Sequence, residues 1–401
     1  IRGRASAEGA GIQMQGILWL LLPVAAASGW YAATRNIRKS SPPGQSYPVP
    51  EFLQGLKYLL EEQPDRAVDL LTSTLEINSE TIDTHLALGV LFRKRGETEQ
   101  AIRIHQQLLD MPDPGADQRE EVLLELGRDY MYAGLLDRAE ELFSEQASMY
   151  GPSSAAMQHL LDIYQQQREW AKAAGIAEKL DKAGDQPSAM VLAHFYCEQA
   201  EQAREKAGLA ASRKLLDRAL ETDQHCVRAS VLRGDIAFQC GDYREAIDAY
   251  KSIVAQDIEF LPEVLDSLIK CHEHYGETPA LIDYLLTVLD ERDGISLVLP
   301  LTGLIAEYRG TDEAVSFVSE RLVRNPSICG MAQLIELGLA RCKGADRRYL
   351  ALLKELSGSL LQGKPAYRCG ECGFTGHSLH WRCPGCRRWG TVKPAYANDS
   401  K

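Results

Sequence analysis

Apolar and polar positions along this chain follow two distinct rhythms before a short C-terminal stretch that follows neither. From Gln13 to Thr34 there is no charged residue, and Gly16–Ala33 is almost wholly apolar. About 20 such residues suffice for a helix to cross the hydrocarbon core of a bilayer. Trp19, Trp30 and Tyr31 lie towards the ends of the run, where amphipathic rings prefer the interface, and Pro23 is tolerated inside a spanning helix. A membrane helix is therefore predicted at 14–34. Arg35, Arg38 and Lys39 follow at once, which places everything downstream on the cytoplasmic side. A cleaved signal peptide ending near Ala25-Ala26-Ala27 is the rival reading. It leaves the basic cluster on the wrong side of the apolar run. Residues 1–13 precede the first methionine and are expected to be an extension without a role, and 35–50 form a basic, Pro-rich linker.

Beyond Pro50 the spacing changes to a long repeat. A small or apolar position recurs at Gly55, Gly89, Gly127, Leu161, Ala200, Gly234, Leu268 and Thr302, in steps of 34, 38, 34, 39, 34, 34 and 34 residues. Twelve residues after each stand Ala67, Ala101, Ala139, Ala173, Ser212, Ala246, Ala280 and Ala314. This is the period of paired helices of the tetratricopeptide type, in which small residues let the two helices of a pair approach and larger side chains fill the groove between them. Turns are predicted at Arg95-Gly96-Glu97, Tyr132-Ala133-Gly134, Cys240-Gly241-Asp242 and Arg309-Gly310-Thr311. The two long steps imply extra residues near Met111–Gln118 and Glu198–Lys206, the latter lengthening a helix. The expected fold is an all-α tetratricopeptide solenoid over 51–363, with eight repeats and a final capping pair through Gly330–Leu361.

The last segment, 364–394, has neither rhythm and is too short for a core of its own. Its chemistry lies in two Cys-x-x-Cys pairs, Cys369/Cys372 and Cys383/Cys386, ten residues apart. Two tight turns facing each other present four sulfurs at tetrahedral corners and hold one iron or zinc ion with no position left for substrate. His377 and His380 lie between the pairs as less favoured ligands. Tyr367, Phe374, Trp381 and Trp389 are expected to shield the ion or insert into the neighbouring helices. Residues 395–401 are a tail.

Charge sharpens this division. The chain carries 44 Lys and Arg against 56 Asp and Glu, a net charge of −12 over 401 residues. Residues 1–50 hold +4 and 364–401 hold +5, which leaves −21 on 51–363. An acidic centre repels phosphates and argues against nucleic acid as a partner. It also predicts that the basic metal segment, with Arg382, Arg387 and Arg388, docks on the acidic helices. Cys197, Cys226, Cys240, Cys271, Cys329 and Cys342 are scattered within helical patterns, which points to buried thiols in a reducing compartment rather than disulfides. His272 and His274, two apart on a helix, face different ways, and His105, His159, His194 and His225 are isolated. No phosphate loop, metalloprotease motif or nucleophile elbow is present, so no catalytic residue is assigned.

Span, repeats and metal knuckle in this order resemble the lipopolysaccharide assembly protein B family of bacterial inner-membrane proteins. The resemblance runs through LFRKRGETEQAIRIHQ (91–106), LGRDYMYAGLLDRAEELF (126–143), AHFYCE (193–198) and YRCGECGFTGHSLHWRCPGCRRWGTVKP (367–394). It implies a rubredoxin-type centre on Cys369, Cys372, Cys383 and Cys386. It further implies a non-enzymatic adaptor that regulates lipopolysaccharide synthesis by bringing the deacetylase LpxC to the membrane protease FtsH, and that works alongside lipopolysaccharide transport and assembly proteins. The alternatives are an electron-transfer protein, a scaffold without a proteolytic role, and an RNA-binding ribbon. A dimer is compatible with the sequence.

Overall fold

The computed structural model describes residues 81–395, apart from 112–114, 152–154, 184–188, 207, 292–294, 344 and 363–364. The membrane helix expected at 14–34 and the first repeat, with Gly55 and Ala67, lie outside the described residues. No described helix is long and apolar enough to cross a membrane. Sixteen α-helices come first among the described residues: α1 (Ile82–Lys94), α2 (Thr98–Leu109), α3 (Ala116–Tyr132), α4 (Leu136–Tyr150), α5 (Ala155–Gln167), α6 (Trp170–Ala183), α7 (Ala189–Lys206), α8 (Leu209–Thr222), α9 (Val227–Cys240), α10 (Tyr243–Gln256), α11 (Leu261–Tyr275), α12 (Thr278–Glu291), α13 (Ile295–Tyr308), α14 (Thr311–Arg324), α15 (Ile328–Arg341) and α16 (Ala345–Leu361). Strands β1 (Tyr367–Cys369), β2 (Thr375–Gly376) and β3 (Val392–Pro394) follow.

By internal contacts the chain divides into residues 1–122 and 123–401. Within the first unit, α1 and α2 form one hairpin. Leu88, Phe92 and Ala101 make one apolar cluster, and Ile82, Leu86, Leu108 and Val122 make another. Within the second unit each helix packs on the next, and α7, α9, α11, α13 and α15 also touch in succession, each with the helix two places on. That double contact is what stacking of repeats produces. A continuous core runs from Val227 to Ala314 through Tyr250, Leu268, Leu285 and Leu301. The all-α tetratricopeptide architecture is therefore as expected. Glycines turn the chain at the four predicted places, with φ of 84° at Gly96, 76° at Gly134, 80° at Gly241 and 101° at Gly310. The long step at Glu198–Lys206 is absorbed by α7, which has 18 residues.

The repeat positions have a specific physical basis. A Cβ built on Gly89, Gly127 or Gly234 would lie 2.3–2.4 Å from the ring of His105, Phe143 or Tyr250 respectively. Each of those rings stands four residues after the alanine of the following helix. Glycine in the first helix thus makes room for a ring from the second. The hairpin α5–α6 exchanges the sizes, with Leu161 at the glycine position and the fully buried Ala177 at the ring position. Two expectations need correction. Ala280 is exposed, and Leu281 occupies the buried place instead. Helix α11 has 15 residues where α9 has 14, so the turn at Gly276 falls one residue late. Cys240 is exposed rather than buried, since it ends α9 beside the Gly241 turn; Cys197, Cys226 and Cys271 are buried.

Candidate metal centre

Two short loops built alike bring the four cysteines together. In the first, Cys369 N–H donates to Phe374 O (2.7 Å) and Gly373 N–H to Cys369 O (3.1 Å). In the second, Cys383 N–H donates to Arg388 O (2.9 Å) and Arg387 N–H to Cys383 O (2.9 Å). The residue after each second cysteine is left-handed, Gly373 at φ 75° and Arg387 at φ 59°. That turn folds the loop back so that backbone N–H groups can point at sulfur. Strand β1 carries Cys369 and lies between β2 and β3, antiparallel to both, with Tyr367 opposite Gly376 and Pro394 and Cys369 opposite Val392. A Cβ on Gly385 would lie 3.2 Å from Cys372 Sγ and 3.8 Å from Cys383 Sγ, so that glycine leaves the sulfurs their space.

The four sulfurs all lie within 4.8 Å of one another, with Cys369 and Cys386 3.8 Å apart and Cys372 and Cys383 3.6 Å apart. A regular tetrahedron with an edge near 3.8 Å places its centre about 2.3 Å from each corner, the length of a zinc–thiolate bond. The donor set therefore fits one ion held by four thiolates, the arrangement predicted from the spacing. His377 and His380 are outside the cluster, and Ser378 Oγ lies 3.2 Å from His380 Nε2. The sulfurs are not electrostatically alike. Backbone N–H donation, first from Cys372, and the Thr391 hydroxyl 3.3 Å away bring the Cys369 thiol down to about 6, whereas burial pushes Cys383 up to about 11. Cys369 and Cys383 are buried, while Cys372 is exposed on the outer side.

The metal loops are clamped to α5, α7, α9 and α11, to the start of α6 and to the short turn between α10 and α11. Trp389 is the main plug. Its ring meets Trp170 and Phe195 edge-on at 5.8 and 5.9 Å and stacks on His194 at 5.1 Å. Its Nε1–H donates to Gln165 Oε1 at 3.2 Å, so the polar end of a ring only 4% exposed is satisfied. Burial, with Arg228 nearby, brings His194 down to about 3, so this imidazole is neutral where it packs. Trp381 stacks on Phe260 at 5.5 Å and joins the core of the second unit together with Leu379. Tyr367 Oη donates to both Glu263 oxygens (2.8 and 2.9 Å), and Lys393 Nζ meets Asp257 at 2.8 Å. Arg382 and Arg387 face Asp162, whose carboxyl is raised by burial and drawn back by those two cations. The predicted docking of a basic knuckle on acidic helices is thus realised, except that Arg388 pairs with Glu371 inside the knuckle at 2.6 Å. Sequence reasoning placed the plugs but not their sockets. Gln165, Trp170, His194, Phe195 and Arg228 carry no motif, although AHFYCE (193–198) spans two of them.

Comparison with known proteins agrees region by region. Residues 367–394 match the rubredoxin metal binding domain family, and 84–119, 124–187 and 197–259 match tetratricopeptide repeat families. The chain is 36% identical over 384 residues to lipopolysaccharide assembly protein B of Escherichia coli K12, covering 96% of this chain and 99% of that protein. It is 34% identical over 388 residues to the protein of the same name from Haemophilus influenzae, covering 94% and 98%. Among solved structures, the C-terminal part of a tetratricopeptide repeat protein from Cytophaga hutchinsonii aligns with 59% of this chain and 93% of its own, at 16% identity and a TM-score of 0.38.

Proposed function

Because the chain belongs to the lipopolysaccharide assembly protein B family, we propose that it acts in lipopolysaccharide assembly as an adaptor held at the inner membrane. In this reading the apolar segment at 14–34 anchors the protein and leaves the repeats in the cytoplasm. The repeats recruit the deacetylase LpxC and present it to the protease FtsH. The adaptor limits lipopolysaccharide synthesis through the deacetylase's degradation and performs no reaction itself. Confinement to the membrane raises the effective concentration of adaptor beside a membrane protease, so weak contacts with a client suffice. A four-thiolate ion with no open position suits a structural role.

The observation that carries this reading is the correspondence with the Escherichia coli relative over 96% of this chain. It spans repeats and metal knuckle together, so the whole arrangement is shared rather than one module. The test is the half-life of LpxC in cells with and without this protein. The reading requires the deacetylase to persist longer when the protein is absent, and to remain long-lived when a form lacking residues up to Thr34 replaces it at native level. Unchanged deacetylase turnover on deletion would overturn the proteolytic role and leave a scaffold of lipopolysaccharide assembly.

A further inference from the structure

Outside the metal knuckle, two further sulfurs are in contact. Cys197 on α7 and Cys226, 29 residues on, bring their Sγ atoms to 3.9 Å. Both are buried free thiols. Cysteines that serve only as small apolar packing residues need no charge beside them. This pair has one. Arg228, two residues after Cys226 and itself buried, pairs with Glu198 at 2.9 Å and with Glu201, both on the helix that carries Cys197. Cys226 is also the N-cap of α9, where backbone N–H groups and the helix dipole favour a negative sulfur. The two thiols therefore differ. The hydrogen bond from Cys197, with the Ala229 N–H, draws Cys226 below the ordinary thiol range, whereas burial pushes Cys197 well above it.

Cys226 directly follows Gln224 and His225, both exposed in the turn from α8 to α9. So enclosed a pair suits a small hydroperoxide, and hydrogen peroxide is the smallest. The Cys226 thiolate attacks one peroxide oxygen. The S–O bond forms, the O–O bond breaks, and hydroxide leaves with the Cys226 proton as water. The Cys197 sulfur then attacks the Cys226 sulfur. The S–S bond forms, the S–O bond breaks, and the hydroxyl departs with the Cys197 proton as a second water. Two thiols lose two electrons and one peroxide gains them. A disulfide is about 2 Å long, so the sulfurs close by about the same amount, which rotation about the Cα–Cβ bonds supplies. The bond ties α7 to the start of α9, and residues beside both sulfurs line the Trp389 socket. His194 and Phe195 precede Cys197 and pack on that ring at 5.1 and 5.9 Å, and the Arg228 guanidinium lies 6.0 Å from it.

We infer that Cys197 and Cys226 are a redox modification site, at which a hydroperoxide drives a reversible disulfide that locks together the helices holding the metal knuckle. In a reducing compartment such a bond is transient and reports oxidation. The test uses the detergent-solubilised full chain, freed of reductant, treated with hydrogen peroxide, alkylated and cut with trypsin. Residues 183–204 and 219–228 are separate tryptic peptides with one cysteine each. They are expected joined by mass spectrometry, two hydrogens lighter, and separate again after dithiothreitol. Cys226→Ala, treated alike, controls for oxidation of the metal thiolates. Relative to it, oxidation should raise the parent's midpoint of thermal unfolding by several degrees and slow proteolytic release of the C-terminal fragment. Dimedone should trap Cys226 in Cys197→Ala about tenfold faster than Cys197 in Cys226→Ala. No joined peptide by the time the exposed Cys240 is fully oxidised overturns the inference and leaves a packed thiol pair. Either sulfur joined to a different cysteine overturns it as well. A joined pair with an unchanged or lowered midpoint overturns the lock, and an equal or reversed dimedone ratio overturns Cys226 as the attacking sulfur.

Discussion

The repeat hairpins and the metal knuckle bury their side chains by different means. In the hairpins the same local solution returns about every 34 residues, a small residue on one helix under a ring or leucine from the next, with Ala101, Ala139, Ala173, Ala246 and Ala314 fully buried. Stability there is spread over many similar contacts, each made by residues close in sequence. The 29 residues from Ala366 to Pro394 have almost no apolar interior beyond Cys369, Cys383 and Val392. They depend on one ion and on two tryptophans placed in sockets belonging to other elements. A distributed core tolerates one weak position, whereas a region resting on a few groups does not.

The sharpest way to break that contrast is to remove one sulfur. Cys369→Ser or Cys383→Ser leaves three thiolates and an uncoordinated position, and a structural zinc site contributes roughly 10–16 kcal/mol of binding that is also folding free energy. Metal content, measured by atomic emission on purified protein, is expected to fall from one ion per chain to near zero. Limited proteolysis should then cut within 365–395 while the helical signal in circular dichroism stays close to parental. If the helices melted along with the knuckle, the two regions would be one cooperative unit and the contrast would fail.

Next in size is Trp389→Ala, which keeps the sulfurs and empties the socket. Large aromatic to alanine changes in packed sites cost about 3–5 kcal/mol, and here that loss falls on docking. The ion is expected to remain bound at one per chain. The knuckle should become a mobile appendage, visible as sharp amide resonances and as rapid proteolytic release of the C-terminal fragment. Loss of the ion instead would mean that docking and ligation are inseparable.

A smaller pair of changes tests the hairpins by themselves. Alanine in place of a helical glycine gains about 1 kcal/mol in helix propensity. At Gly175, inside α6, an added Cβ has nothing within 4 Å, so Gly175→Ala should raise the midpoint of thermal unfolding. At Gly234 the added Cβ would lie 2.3 Å from Tyr250 Cε1, in a place where that ring is fully buried. Overpacking costs typically 1–3 kcal/mol, which exceeds the propensity gain, so Gly234→Ala should lower the midpoint. Opposite signs from the same substitution, read by calorimetry, are the expected outcome. Equal signs would show that the repeat glycines are not kept for room under a ring.

How far the sequence reached follows the same divide. Among the described residues, spacing alone located the helix pairs, the glycine turns and all four sulfurs, because each is set by residues within a few turns of chain. It slipped where one residue was added without punctuation. Helix α11 carries that extra residue, and only the burial of Leu281 in place of Ala280 reveals it. The left-handed Arg168 between α5 and α6 stands where other hairpins have glycine, so that turn gave no signal. The sockets were out of reach for a deeper reason. Gln165 and Trp389 are 224 residues apart, and no period or motif links a hydrogen-bond acceptor on one helix to an indole that distant. Opposite net charges predicted that the two regions would meet, but charge is diffuse and does not choose a partner residue.

That last point can be measured at the weakest of the docking contacts. Lys393 and Asp257 meet at 2.8 Å with Lys393 about half exposed, and the carboxylate, through its hydrogen bond, raises the ammonium above the ordinary lysine range. Exposed pairs of this kind contribute about 0–1 kcal/mol, because water already solvates both ions and salt screens what remains. Lys393→Ala should therefore leave the knuckle docked, with unchanged metal content and at most about a fivefold faster C-terminal cleavage at low salt. The difference from parent should vanish in high salt, while the defect of Trp389→Ala persists there. If Lys393→Ala released the knuckle as fully as Trp389→Ala does, attraction between the basic segment and the acidic helices would be holding it in place, and the aromatic sockets would be secondary.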